Sequence, residues 1–179
     1  MKNVVTLCAT ALALMIPATA QAQNFGADGS YDFQGSVSVI KNLPFPTICQ
    51  LDVNITVSGS GSAATATPTL SGSPLCNAID SMSFTAGSFA ISANTGVSPT
   101  QLTLSGVDIG IPPVGGNPAD ACLGTLVHEL YDGSVPRLID FTTPLSDVDY
   151  VNPGTPNDCK IVGTIEQISG NPTGIFVTP

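Results

Sequence analysis

His128 is the one histidine in a chain of 179 residues, so general-base chemistry near neutral pH has to start there. A hydroxyl nucleophile would need that base beside it and a third group to orient the ring. No Gly-x-Ser-x-Gly elbow accompanies it, and Gly59-Ser60-Gly61-Ser62 reads as a flexible turn. Strand parity groups His128 with Cys122, Gly124, Leu126 and Leu130, which turns the ring inward and points to a structural role. Cys49, Cys76, Cys122 and Cys159 form a second chemical set. They contain no Cys-x-x-Cys spacing that would lower a thiol pKa, and with one histidine they leave no zinc ligand set. Asp140, Asp147, Asp149 and Asp158 flank or occupy a segment, Thr143–Asp158, where backbone carbonyls can complete a calcium shell. That segment lacks the third oxygen ligand and the glycine of an EF-hand loop, so solvated carboxylates are the expectation. A glycosidase carboxylate pair is disfavoured because the chain has no Trp and three Tyr to stack on sugar. No catalytic residue, metal ligand or cofactor is assigned.

The segment that precedes these residues sets their compartment. Met1–Lys2 is a short basic start, Val4 to Ile16 is an apolar run too short to span a bilayer, and Ala18-Thr19-Ala20 and Ala20-Gln21-Ala22 offer two small-x-small cleavage sites, the cut after Ala22 being favoured. Residues 1–22 are expected to be a Sec-type bacterial signal peptide and residues 23–179 a single exported domain, extracellular or at the cell surface. Cys8 leaves with the signal. The remaining four cysteines are an even set in an oxidising compartment, with three possible pairings. Cys49 and Cys159 each start a strongly alternating strand, and Cys76 and Cys122 each follow a turn. That similarity favours sequential pairing, Cys49 with Cys76 and Cys122 with Cys159. In the chain-entropy model each bridge would contribute on the order of 3–4 kcal/mol.

Composition excludes several partners. Thirteen acidic residues face only four basic ones, of which Lys41, Arg137 and Lys160 follow the signal. Without Lys/Arg clusters neither a nucleic acid backbone nor an anionic lipid surface is a plausible partner. No second apolar stretch reaches transmembrane length. Gly, Ser, Thr, Ala, Val and Pro dominate, which disfavours helices and suits strands joined by turns.

The clearest strand is Cys49 to Val57, in which odd positions are apolar and even positions polar. Gly35–Ile40, Ser83–Ile91, Gln101–Ile109, Leu123–Leu130, Leu138–Phe141 and Asp158–Ile168 are further strands, with Ile175–Val177 closing an edge. Leu102 and Leu104 have the opposite parity to Val107 and Ile109, so a bulge at Gly106 would return all four to the core. Ser58–Pro68 and Gly110–Ala121 read as turn regions. Asn54-Ile55-Thr56 fits a glycosylation sequon but falls mid-strand. About eight strands with regular turn signals predict an all-β antiparallel β-sandwich.

Five segments carry a resemblance: Phe33-Gln34-Gly35-Ser36-Val37, Cys49-Gln50-Leu51-Asp52-Val53-Asn54-Ile55-Thr56-Val57-Ser58-Gly59, Pro68-Thr69-Leu70-Ser71-Gly72-Ser73-Pro74-Leu75-Cys76, Cys122-Leu123-Gly124-Thr125-Leu126 and Asp158-Cys159-Lys160-Ile161-Val162-Gly163-Thr164-Ile165. Together they resemble the PraB-like activators of alkane oxidation, small secreted four-cysteine bacterial proteins. The resemblance implies an exported, non-enzymatic factor linked to growth on hydrophobic carbon sources and to adhesion and biofilm. Its implied partner is a hydrophobic surface or apolar substrate, with self-association as a further option. A chaperone–usher pilin or matrix subunit is the alternative, being similar in size, signal peptide and Ser/Thr/Ala-rich composition.

Overall fold

The computed structural model describes residues 23–41, 46–131, 133–141, 159–170 and 174–178, with the backbone alone at 144–145 and 147–148. The expected signal peptide, residues 1–22, lies outside the described residues. Long alternating segments form β1 (Gly29–Ile40), β2 (Thr47–Ser58) and β3 (Ala63–Ser71), followed by α1 (Pro74–Met82). Then come β4 (Phe89–Asn94), β5 (Thr100–Ile111), β6 (Asp120–Tyr131), β7 (Leu138–Phe141), the two-residue strands β8 (Pro144–Leu145) and β9 (Asp147–Val148), and β10 (Cys159–Ser169).

β1 to β7 pair antiparallel in sequence order, β10 pairs with both β7 and β1, and the short β8 and β9 pair with β10 and β6. Eight strands, β1 to β7 and β10, therefore close into a barrel, which corrects the expected β-sandwich. The reason lies at the seam. Gly35 on β1 faces the β10 backbone so closely that a β-carbon there would sit 2.3 Å from the Thr164 carbonyl oxygen. Gly163 on β10 repeats this from the other side, 2.5 Å from the Ser36 carbonyl oxygen. Two glycines thus admit the coiling that brings first and last strands together, and alternation alone does not reveal that.

Inward positions fill the barrel. Tyr31, Phe33, Val37, Leu51, Ile55, Leu102, Ile109, Leu130, Ile139 and Ile165 are among the buried side chains of one continuous core. The phase change in β5 is a bulge: the register shifts between Leu104 and Val107, Gly106 adopts φ +73°, and Leu102, Leu104, Val107 and Ile109 are all buried.

Two strands stop short. β4 pairs with β3 only through Ala64, Ala66 and the residue between them, and β7 pairs with β6 only through Glu129–Tyr131. Each leaves a notch at the same rim of the barrel. The first notch, between β3 and β5, is filled by α1, a helix where the sequence analysis expected none. Ser73 caps it by accepting the Cys76 amide at 3.1 Å, with Pro74 in its first turn. The helix then serves the open strand edges: the Leu70 amide donates to Asp80 Oδ1 at 2.6 Å and the Gly110 amide to Ser83 Oγ at 2.9 Å. The expected strand at Ser83–Ile91 therefore begins only at Phe89. The expected turn Ser58–Pro68 is shorter, because β3 starts at Ala63 with Ala64, Ala66, Pro68 and Leu70 inward. Pro68 lies on the half of β3 that β4 does not reach, where its missing N–H costs no ladder bond.

Cys122–Cys159 spans the second notch directly, linking β6 to β10 with a Cα–Cα distance of 5.9 Å. β9 pairs with β6 at Cys122 and β8 with β10 at Cys159. Cys49–Cys76 anchors α1 to β2, with a Cα–Cα distance of 5.6 Å. Both disulfides thus sit at the notched rim. At the opposite rim Asn24 and Thr178 form an isolated bridge, and Phe25, Ile175 and Val177 are buried. The expected closing strand Ile175–Val177 is not formed; the bridge lies at Thr178, just beyond it.

Gly35→Val tests the seam. Overpacking there should cost about 2–3 kcal/mol, lowering the melting temperature by roughly 5–10 °C. Thermal unfolding followed by circular dichroism reads it, and an unchanged midpoint would mean that β1 and β10 do not approach this closely.

Candidate functional site

The barrel encloses a void in which the centre of a water-sized sphere can range over about 30 Å³. Fifteen residues line it, and fourteen are apolar. The exception is His128. It sits on β6 opposite Leu102 of β5, its ring tilted against that of Phe141 with centroids 5.1 Å apart. The inward parity expected for it is what the structure has: His128 is 4% exposed. Its Nδ1 is buried and has no hydrogen-bond partner among the described residues, a state it shares with Thr47 Oγ1. Burial pushes the imidazole down to about 3 from its ordinary 6.5, so the ring is neutral across the physiological range. Phe84 closes the first notch beside the void. It follows α1 at φ +55°, and its amide donates to the Asp108 carbonyl at 2.9 Å while its ring meets Phe89 edge-on. Of the fifteen lining residues it alone is only half-buried.

The other chemically active side chains lie elsewhere. Lys41 Nζ is 3.4 Å from Asp120 Oδ2, a buried ion pair at the notched rim that joins the end of β1 to the start of β6. Asp32 lies on the outer face, where hydrogen bonds from Ser169 and then from Asn54 hold its carboxyl below the usual range. Asn54 of the sequon donates to Asp32 and to Ser30, each at 2.5 Å, so its amide is engaged along the strand surface. Of the four candidate calcium carboxylates, Asp140 on β7 accepts from Thr164 Oγ1 at 3.0 Å. Asp149 and Asp158 lie outside the described residues, and Asp147 is described only by its backbone. Among the described residues no three His, Cys, Asp or Glu side chains gather. The lumen with its single polar group is therefore the candidate site. Parity located its histidine, but nothing in the sequence announced the void.

His128 ties stability to pH. Its folded pKa lies below the unfolded one, so the unfolded chain takes up the proton first as pH falls from about 6.5 toward 3. Stability from this group is complete above that window and drains through it, on the order of 5 kcal/mol in all. In His128→Leu this drain should vanish. Denaturant titrations at pH 7, 5.5 and 4 should show the wild type losing about 1.4 kcal/mol per pH unit more than the variant below pH 6. Parallel curves would mean that the folded ring is solvated.

The staple across the second notch is testable too. Replacing Cys122 and Cys159 together by Ser should cost about 3–4 kcal/mol in the chain-entropy model, seen as a lower denaturant midpoint than for the intact protein.

A family model described as alkane oxidation protein activator PraA/PraB-like matches residues 1–173, nearly the whole chain. No curated protein and no solved structure matches it.

Proposed function

Because the chain belongs to the PraA/PraB-like family of alkane oxidation protein activators, we propose that it is an exported, non-enzymatic barrel protein that engages hydrophobic substrates or surfaces, acting in adhesion and biofilm. The observation that carries this reading is the family match across residues 1–173. Physical features support it. Charged residues are 9% of the chain, so little electrostatic repulsion opposes adsorption to apolar material. Ile48, Val135 and Ile168 stand exposed near the strand ends. The two disulfides suit an oxidising compartment. Among the described residues no helix is long and apolar enough to cross a membrane. A chaperone–usher subunit is the weaker reading, because β1 and β10 already pair along the seam and leave no strand place between them for a donor.

Partitioning between buffer and hexadecane droplets tests the proposal. The purified protein should accumulate at the oil interface and release on addition of a mild detergent. Recovery in the aqueous phase at the level of an acidic control protein would reject it. Replacing Ile48, Val135 and Ile168 together by Ser should reduce the adsorbed fraction without shifting the melting temperature by more than a few degrees.

A further inference from the structure

Among the described residues Lys41 is the one basic side chain that is wholly buried, at 0% exposed, and it faces Asp120 at 5%. Inward alternation through Val37 and Val39 continues to Lys41, and that of Leu126 and Cys122 runs back to Asp120. Both side chains therefore turn into the mouth of the barrel at the notched rim. As an ion pair they contribute little. Taking two charges out of water is costly, and such pairs are often no more stabilising than apolar residues of the same volume. An amide bond between them would remove both charges and keep the tie. The local geometry suits that bond. Asp120 Oδ1 accepts the Ala121 amide at 2.8 Å, which fixes the carboxyl group, while Oδ2 lies 3.4 Å from Lys41 Nζ. Reactants held in this way reach effective molarities of about 10⁵–10⁸ M when well oriented.

We propose that Lys41 and Asp120 condense to an intramolecular isopeptide bond, Nζ joining the Asp120 carboxyl carbon with loss of one water. The step balances without a further reactant. The ammonium passes one proton to Oδ2, leaving an amine and a carboxylic acid, and a site of low polarity favours that neutral pair. The amine attacks the carboxyl carbon, and the charge that develops on Oδ1 meets the Ala121 N–H. A second proton moves from nitrogen to Oδ2, which leaves as water, and the amide keeps one N–H. The bond ties the end of β1 to the start of β6, a connection that neither disulfide makes. It also survives reduction, which opens both disulfides. An exported protein gains from it a covalent tie that does not depend on the redox state outside the cell. The bond is independent of adsorption to oil: a protein that stays in the aqueous phase can still form it.

Intact-mass spectrometry tests the bond. The exported protein, its amino terminus established by sequencing, is incubated folded for several days, then reduced and denatured. Its mass should fall short of the sequence by one water, and the deficit should not develop in a sample kept in denaturant throughout. Trypsin should fail to cut after Lys41, leaving a branched peptide that joins Lys41 to the segment holding Asp120. In Lys41→Met and in Asp120→Ala the deficit should vanish, and in Asp120→Ala cleavage after Lys41 should return. Two other reactions are told apart by the same data. Cyclisation of an amino-terminal glutamine removes ammonia rather than water, and a succinimide at another aspartate persists in Lys41→Met. A wild-type mass equal to that of the sequence after the folded incubation overturns the inference. So does a water deficit that Lys41→Met retains. If either variant fails to fold, the wild-type mass and the fate of the cleavage site after Lys41 still decide.

Discussion

Two strands that end halfway along the barrel govern how the rest of the molecule is built. A closed sheet has no edges, but β4 and β7 stop before the rim and expose the backbone of β3, β5, β6 and β10 there. Buried N–H groups left without acceptors would each cost on the order of a hydrogen bond or more. The chain answers with side chains at the first notch and with the two-residue strands β8 and β9 at the second. Asp80 and Ser83 accept the amides of Leu70 and Gly110 from the helix. Cys49–Cys76 fixes that helix to β2, and Cys122–Cys159 crosses the other gap. The buried pair Lys41–Asp120 ties β1 to β6 at the same rim. Helix, bridges and ion pair thus respond to one geometric shortfall.

The interior shows the complementary economy. Small barrels are normally filled by their own inward side chains, and here the packing is nearly complete apart from the void around His128. Placing an imidazole against Phe141 with a buried nitrogen unmet is costly for folding stability. A leucine would pack there at lower cost, so the histidine is the departure from an otherwise uniform lumen. Departures of this kind are where recognition is usually located.

Much of the architecture was legible in residue order, and the reasons for the rest are physical. The period of two in Cys49–Val57, the bulge at Gly106 and the inward parity of His128 all follow from alternation, which is a local property. Similar placement of the cysteines favoured the pairs the structure contains. Closure was not legible, because the seam rests on close contacts of Gly35 and Gly163 with residues about 130 positions away in the chain. The strand at Ala63–Ser71 was hidden by its small inward alanines and by Pro68, which looks like a breaker unless the neighbouring edge is known to be vacant. The helix did carry a signal, Ser73-Pro74 at its start, but nine residues poor in straight-chain helix formers were outweighed by composition. The void could not be read from sequence at all, since volume is a property of the packed assembly.

The two rims differ in kind, and the difference gives the barrel an axis of rigidity. One rim carries both disulfides, so there β6 cannot leave β10, nor α1 leave β2, without breaking a sulfur–sulfur bond. The other is held by turns and by the hydrogen-bonded meeting of Asn24 with Thr178. Thermal excitations therefore fray the molecule from one side, with amide exchange graded along each strand rather than uniform across the sheet. Such a container loosens progressively from its tied mouth while its riveted mouth keeps the strands in register, ready to re-form the wall.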